Sequence, residues 1–318
     1  MSPPLRIGTR GSALALWQTE HVRAGLAAAG VATERLEIRT TGDIVQHVPL
    51  AQIGGRALFT RQIDDAMLAG RIDLAVHSLK DLPTALPEGI ALVAVGERED
   101  PRDALVGREA VSWSALPDGA VLATSSLRRR AQALHLRPDL QIHDIRGNVD
   151  TRLAKLDASR EWTAILLATA GLVRLGFGDR IGQRLPPEIM LPAPGQGALA
   201  VTARTGDAAA AAAARAVHHE PTALAVTAER SFLRTLEGGC QVPVAAYATF
   251  ERGNLRLHGR VVSLRGERGV EGQELAEAAD QLEADRLGVR LAERLLKDGA
   301  GEILAQVRGA TAPVVPEP

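Results

Sequence analysis

The sequence predicts an α/β protein with two hinged α/β domains, followed by a small α+β domain carrying an antiparallel sheet. Three observations lead there. Through the N-terminal two thirds, short apolar runs alternate with segments of helical period, the pattern of a mostly parallel sheet covered on both faces. Two polar, proline-marked stretches, Gly96–Asp103 and Pro186–Gly197, interrupt this alternation, as where a chain crosses between two sheets. From about His218 period-2 segments take over. A chain of 318 residues supports two or three cores. The expected boundaries are 1–97 with 196–216, then 98–195, then 217–318.

The elements follow in order. Leu5–Thr9 reads as a first strand, and Arg10-Gly11-Ser12 leads into an Ala/Leu-rich helix to about Ala29, with Ser12 as its cap. Leu36–Thr40 reads as a second strand. Phe59, Ile63 and Met67 keep four-residue spacing, a helix that stops at Gly70. Asp73–His77 is a third strand, and Ser78-Leu79-Lys80-Asp81 lies at its carboxyl end, where ligands of such sheets bind. The second unit has strands at Ala120–Ala123, Gln141–Asp144 and Ala164–Ala168; the last is an unbroken apolar run suited to burial on both faces. Ala198–Ala203 is expected to return to the first sheet, followed by an alanine-rich helix over Asp207–Val217. Leu224, Ala228, Phe232 and Leu236 mark the apolar face of a further helix, ended by Gly238-Gly239. Segments around Val244–Ala248, Leu255–Val261 and Val270–Glu274 read as antiparallel strands. Helices are expected near Ala279–Leu296 and Glu302–Val307, with a frayed tail from Thr311.

Composition narrows the function. A net charge of −1 argues for neither nucleic acid nor an anionic membrane as partner. No run of 18 apolar residues is present and Met1–Arg6 lacks the apolar core of a secretion signal, so the cytoplasm is the expected compartment. The single cysteine, Cys240, rules out an intrachain disulfide and a multi-cysteine zinc cage. Just past a helix, its sulfur is placed to face a cleft. His218-His219-Glu220 points its side chains in different directions on a helix, and no metal is expected.

The cations are the chemical signal. Thr124-Ser125-Ser126-Leu127-Arg128-Arg129-Arg130 starts at a strand end and opens a helix, where hydroxyls and free N–H groups suit anions and guanidiniums add bidentate carboxylate or phosphate recognition. Cations there oppose the helix dipole, which points to a ligand that needs them. Arg146-Gly147-Asn148-Val149-Asp150-Thr151-Arg152 repeats the theme after the next strand, and Arg10 with Ser12 after the first. A parallel-sheet arrangement places these groups on one rim. The ligand should therefore carry several carboxylates or phosphates; with no G-x-G-x-x-G after a strand and no P-loop, a nucleotide is not supported. Asp81 sets one carboxylate among these cations, suited to general acid–base work or to facing a developing cation.

Several stretches together resemble the porphobilinogen deaminase (hydroxymethylbilane synthase) family, nearly the whole chain in order. They are Thr9–Ala15, His77–Asp81, Glu97–Asp103, Thr124–Arg129, Arg146–Val149, Pro194–Gly197 and Glu237–Pro243. The resemblance implies a monomeric tetrapyrrole-pathway transferase that joins four porphobilinogen molecules head to tail with loss of ammonia, then releases the linear product by hydrolysis. It implies that Cys240 holds a dipyrromethane cofactor through a thioether, and that Asp81 is the catalytic acid that also stabilises a cationic methylenepyrrole. Ser78, Lys80, Thr124, Ser126, Arg128, Arg129 and Arg152 match positions holding the cofactor's acetate and propionate groups. Arg10, Ser12, Arg146, Arg152 and Gln196 match the substrate side.

The sequence departs from the family at Gln52, Arg56 and Ala57, where relatives often carry lysine, lysine and glycine; Gln52 loses a charge that Arg56 keeps in another geometry. The competing reading is a carboxylate-binding module, since two alternating domains with two crossings also describe type 2 periplasmic-type binding proteins. That reading leaves Cys240 and the third domain without a task.

Overall fold

The computed structural model describes residues 3–40, 60–236, 242–277 and 280–311, and within them the strands gather into three sheets. In the first, β1 (Leu5–Thr9) lies between β2 (Thr33–Glu37) and β3 (Leu74–Ser78), all parallel. β10 (Leu199–Arg204) then runs antiparallel between β3 and β4 (Ile90–Val95). The second sheet repeats the plan. β6 (Val121–Ala123) is parallel to β7 (Gln141–His143) and β8 (Ala164–Ala168), while β5 (Asp103–Gly107) is antiparallel to β8 and to β9 (Gln183–Arg184). The third sheet is the antiparallel ribbon β11 (Val244–Glu251), β12 (Asn254–Val262) and β13 (Gly269–Glu277).

Both large sheets are therefore mixed rather than mostly parallel. The chain enters the second sheet through β5 and returns to the first through β10, and each arriving strand runs against its neighbours. The return of β10 was legible; β4, β5 and β9 were not, because Asp103 opens β5 inside what reads as a polar crossing. β2 begins at Thr33, three residues before the expected Leu36. Its register is set by β1, with Leu5 opposite Thr33 and Thr9 opposite Glu37, and as an edge strand it needs no apolar start.

α1 (Ala13–Ala28) begins where expected: the Ser12 hydroxyl accepts from the Ala15 N–H, and Val22 and Leu26 pack on Ile7, Leu74 and Val201. α2 (Arg61–Leu68) buries Ile63 and Met67; Phe59 lies outside the described residues. The second sheet is covered by α3 (Leu127–Leu136), α4 (Val149–Ala158) and α5 (Thr169–Arg174). After α6 (Ala208–Ala214) comes α7 (Glu220–Thr235), which buries Leu224, Ala228 and Phe232 against the small sheet and α8 (Gln281–Leu295). Gly238 and Gly239 lie outside the described residues. α9 (Gly301–Thr311) continues from α8 through a wide turn with Gly299 at φ 110°.

Glu229 of α7, fully buried, ties the parts together. It pairs with Arg98 of the first crossing (2.6 Å), accepts from the Gly195 N–H of the second (2.6 Å) and accepts from the Ala248 N–H of β11 (2.7 Å). Gly197 holds φ +90°, and a Cβ there would collide with the Glu99 carbonyl, so the two crossings touch backbone to backbone.

Candidate active site

Beyond Ser78, the last residue of β3, Leu79–Asp81 makes one tight helical turn whose Leu79 is buried. That anchor sets Lys80 and Asp81 at the carboxyl edge of the first sheet. The starts of α1, α3 and α4 face the same space, a cavity of about 390 Å³, a size typical of small-molecule sites. Among the described residues, six cations line it (Arg10, Lys80, Arg129, Arg146, Arg152, Arg174) against two carboxylates, Asp81 and Asp150. Ser12 and Ser78 also face it.

Three of these cations, Lys80, Arg152 and Arg174, form no ion pair with a carboxylate among the described residues, and the first two flank Asp81. Lys80 Nζ donates to Gln196 Oε1 (3.2 Å), and Arg152 Nε donates to the Gly147 carbonyl (2.8 Å); neither has a carboxylate within ion-pair distance among the described residues. Burial pushes the Lys80 ammonium down to about 8, against the pull of Asp81. Burial, with Arg129 adding to it, pushes Arg152 down to about 10. An anionic ligand reverses both shifts. The Asp81 carboxylate is exposed to the cleft and accepts no hydrogen bond from the described residues.

The basic helix start has a partner that sequence reasoning missed. Arg128 Nη1 meets Asp103 Oδ2 at 2.6 Å and Arg129 Nη2 meets Oδ1 at 2.8 Å, all three side chains buried. Burial would raise the Asp103 carboxyl, but the two guanidiniums hold it well below the usual carboxylate range. The clash of Arg128 and Arg129 with the helix dipole is thus answered first by an internal acid, which leaves a net +1 on the trio. Arg129 still reaches the cavity wall. Thr124, Ser126, Arg128 and Gln196 lie outside that wall. Thr124 Oγ1 accepts from the Ser126 N–H (3.2 Å) and Ser126 Oγ from the Arg129 N–H (3.4 Å), so both hydroxyls shape the start of α3.

Two other residues escaped sequence reasoning. Arg174 lines the cavity, donates to the Gly197 carbonyl (2.7 Å) and stands 5.5 Å over the Trp17 ring; its signal was a lone cation ending an otherwise apolar helix. His77, buried in β3 behind Arg10, has Nε2 3.4 Å from Thr202 Oγ1. Cys240, and with it Gln52, Arg56 and Ala57, lies outside the described residues. His218 Nδ1 accepts from the Val95 N–H and His219 caps α7; no cluster suited to a metal ion occurs among the described residues.

Burial, and secondarily Arg10, pushes His77 down to about 4 from an ordinary 6.5. The folded chain then binds fewer protons than the unfolded one between those values. Stability present above pH 6.5 is lost as pH falls toward 4, about 3 kcal/mol for a shift of this size. Asp64, raised to about 6 by burial, works the other way as pH rises from 3.8 to 6, so a variant isolates the histidine. His77→Gln should flatten the acid side of a Tm–pH profile; identical slopes in variant and parent would remove His77 from the effect.

The comparisons with known proteins bear on this cleft. Residues 5–212 match the family model described as porphobilinogen deaminase, dipyromethane cofactor binding domain, and residues 223–297 match its C-terminal domain. The chain is 50% identical over 305 residues to the porphobilinogen deaminase of Geobacter metallireducens, and 48% identical over 305 residues to that of Geotalea uraniireducens. Each alignment covers 95% of this chain and 94% of the relative. Among solved structures, the methionine-binding protein MetQ is similar with a TM-score of 0.41 at 13% identity, covering 67% of this chain and 89% of that one.

Proposed function

Because the chain belongs to the porphobilinogen deaminase family, we propose that the cleft joins four porphobilinogen molecules head to tail onto a dipyrromethane primer held by Cys240, releasing ammonia at each step and a linear tetrapyrrole at the end. The observation that carries the reading is the pair of half-buried cations, Lys80 and Arg152, that meet no carboxylate among the described residues and flank the open carboxylate of Asp81. Pyrroles bearing two carboxylates each supply what those cations lack, so the residues present fit the group.

The roles follow from placement. Lys80, Arg129 and Arg152, with Ser78, hold the carboxylates of the primer, and Thr124, Ser126 and Arg128 hold the helix that presents Arg129. Arg10, Ser12, Arg146 and Arg152 receive the incoming substrate. The primer, when bound, supplies an electron-rich pyrrole carbon for the new bond. Asp81 gives a proton to the departing amine of porphobilinogen, and its carboxylate then faces the positive charge left on the methylene. The surrounding cations bind the carboxylate side chains of the substrate, and of the two acids on the described wall Asp81 is the one beside Lys80 on the turn after β3. In these terms the chain is a transferase, divided as 1–97 with 196–216, 98–195 and 217–318, working as a monomer in the cytoplasm. No helix among the described residues is long and apolar enough to cross a membrane.

The intact mass of the purified chain and of Cys240→Ser tests this. The parent should carry an excess equal to two linked pyrrole units and the variant none. A bare parent that neither loads nor releases ammonia when given porphobilinogen would leave only a binding protein.

A further inference from the structure

Gln196 stands between the two halves of the cleft. It belongs to the second crossing, is 1% exposed and lies outside the cavity wall. Its Nε2 donates to the Pro101 carbonyl of the first crossing (2.7 Å) and to Asp103 Oδ1 (2.8 Å). Its Oε1 accepts from Lys80 Nζ (3.2 Å), and its main-chain oxygen accepts from Arg98 Nε (2.9 Å). Both amide protons and the amide oxygen are thus engaged within the protein. The connected groups run from Lys80, next to Asp81, through Gln196 to Asp103 and on to Arg128 and Arg129.

We propose that Gln196 is a positioning residue: it orients the Lys80 ammonium and the Asp103–arginine clamp relative to one another across both crossings, and makes no contact with the pyrrole chain. This departs from the expected substrate contact at Gln196 and rests on the deaminase reading for the identity of the ligand. The geometry favours it because both Nε2 protons of this buried amide are already donated within the protein, so donating to a ligand carboxylate would require one of those bonds to break.

The charged groups facing Lys80 are Asp81 on its own turn, Arg128 and Arg129 on α3, and Asp103 on β5. Among them Gln196 supplies its hydrogen-bond acceptor. Gln196→Glu puts a carboxylate in that place and favours the charged amine; Gln196→Leu removes the acceptor and disfavours it. Lys80, Lys155 and Lys297 are the only lysines in the chain, so acylation by an amine-reactive reagent across pH, read peptide by peptide by mass spectrometry, follows Lys80 alone.

The expected result is a Lys80 labelling midpoint raised by about one pH unit or more in Gln196→Glu and lowered in Gln196→Leu. With porphobilinogen, kcat should fall in both variants while KM stays within about threefold of the parent. Midpoints that do not move, or a KM raised about tenfold with unmoved midpoints, overturn the proposal. If Gln196→Leu fails to fold, Gln196→Glu decides the question alone. The labelling needs no turnover: a parent chain that carries no dipyrrole and neither loads it nor releases ammonia when given porphobilinogen would end the deaminase reading, while the Lys80 midpoints would still decide whether Gln196 sets that ammonium.

Discussion

Asp81→Asn is expected to slow ammonia release from porphobilinogen by about 10²–10⁴-fold, the usual range for loss of a positioned acid. Asparagine keeps the size and planarity of the side chain but neither gives up a proton nor faces a cation with a full charge. The cleft around it is rich in cations, so removing a negative charge leaves the attraction for a dicarboxylate equal or stronger. KM should therefore hold or fall while kcat collapses, which separates a chemical role from a binding one. Steady-state kinetics on chain already loaded with primer is the measurement. A kcat within tenfold of the parent would strip Asp81 of the acid's role and turn attention to Asp150, the other carboxylate of the described wall.

Asp103→Ala is expected to cost about 3–5 kcal/mol of stability, since it removes the shared partner of two buried guanidiniums. Arg128 and Arg129 keep bonds to the carbonyls of Leu191 and Leu166, but those oxygens do not neutralise them. A denaturant titration of parent and variant measures the difference. The variant also loses the acceptor of one Gln196 bond (2.8 Å), so damage should reach Lys80 as well as α3. A loss below about 1 kcal/mol, the scale of an exposed ion pair, would mean that water reaches the clamp.

Much of this was legible beforehand. The Ser12 cap, the apolar face of α7 and the strands of the small sheet rest on local signals: a serine before an Ala/Leu run, a four-residue repeat, alternating apolar residues. The rim of cations was legible too, because Arg10, Lys80 and Arg152 all follow strand ends. What the sequence hid is long-range. Asp103 reads as one more charge in the polar run from Glu97, and only its place at the start of a buried strand makes it the partner of Arg128 and Arg129. Gln196 carries no charge and no periodicity; its importance lies in four bonds across both crossings. Arg174 drew no reading because its partner ring, Trp17, is contributed by α1 of the other sheet's cover.

The exchange of strands between the two sheets bears on the order in which a growing chain takes shape. Every strand of the second sheet lies between residues 103 and 184, one unbroken stretch. In the first sheet, β4 is joined to the rest through β10 alone. Once residue 95 has left the ribosome, β4 has no neighbour until residue 204 follows, 204 − 95 = 109 residues later. At ordinary synthesis rates that is roughly 5–20 s. The N-terminal sheet is therefore begun first and finished second, and the open edge of β3 stays without its β10 partner for that interval.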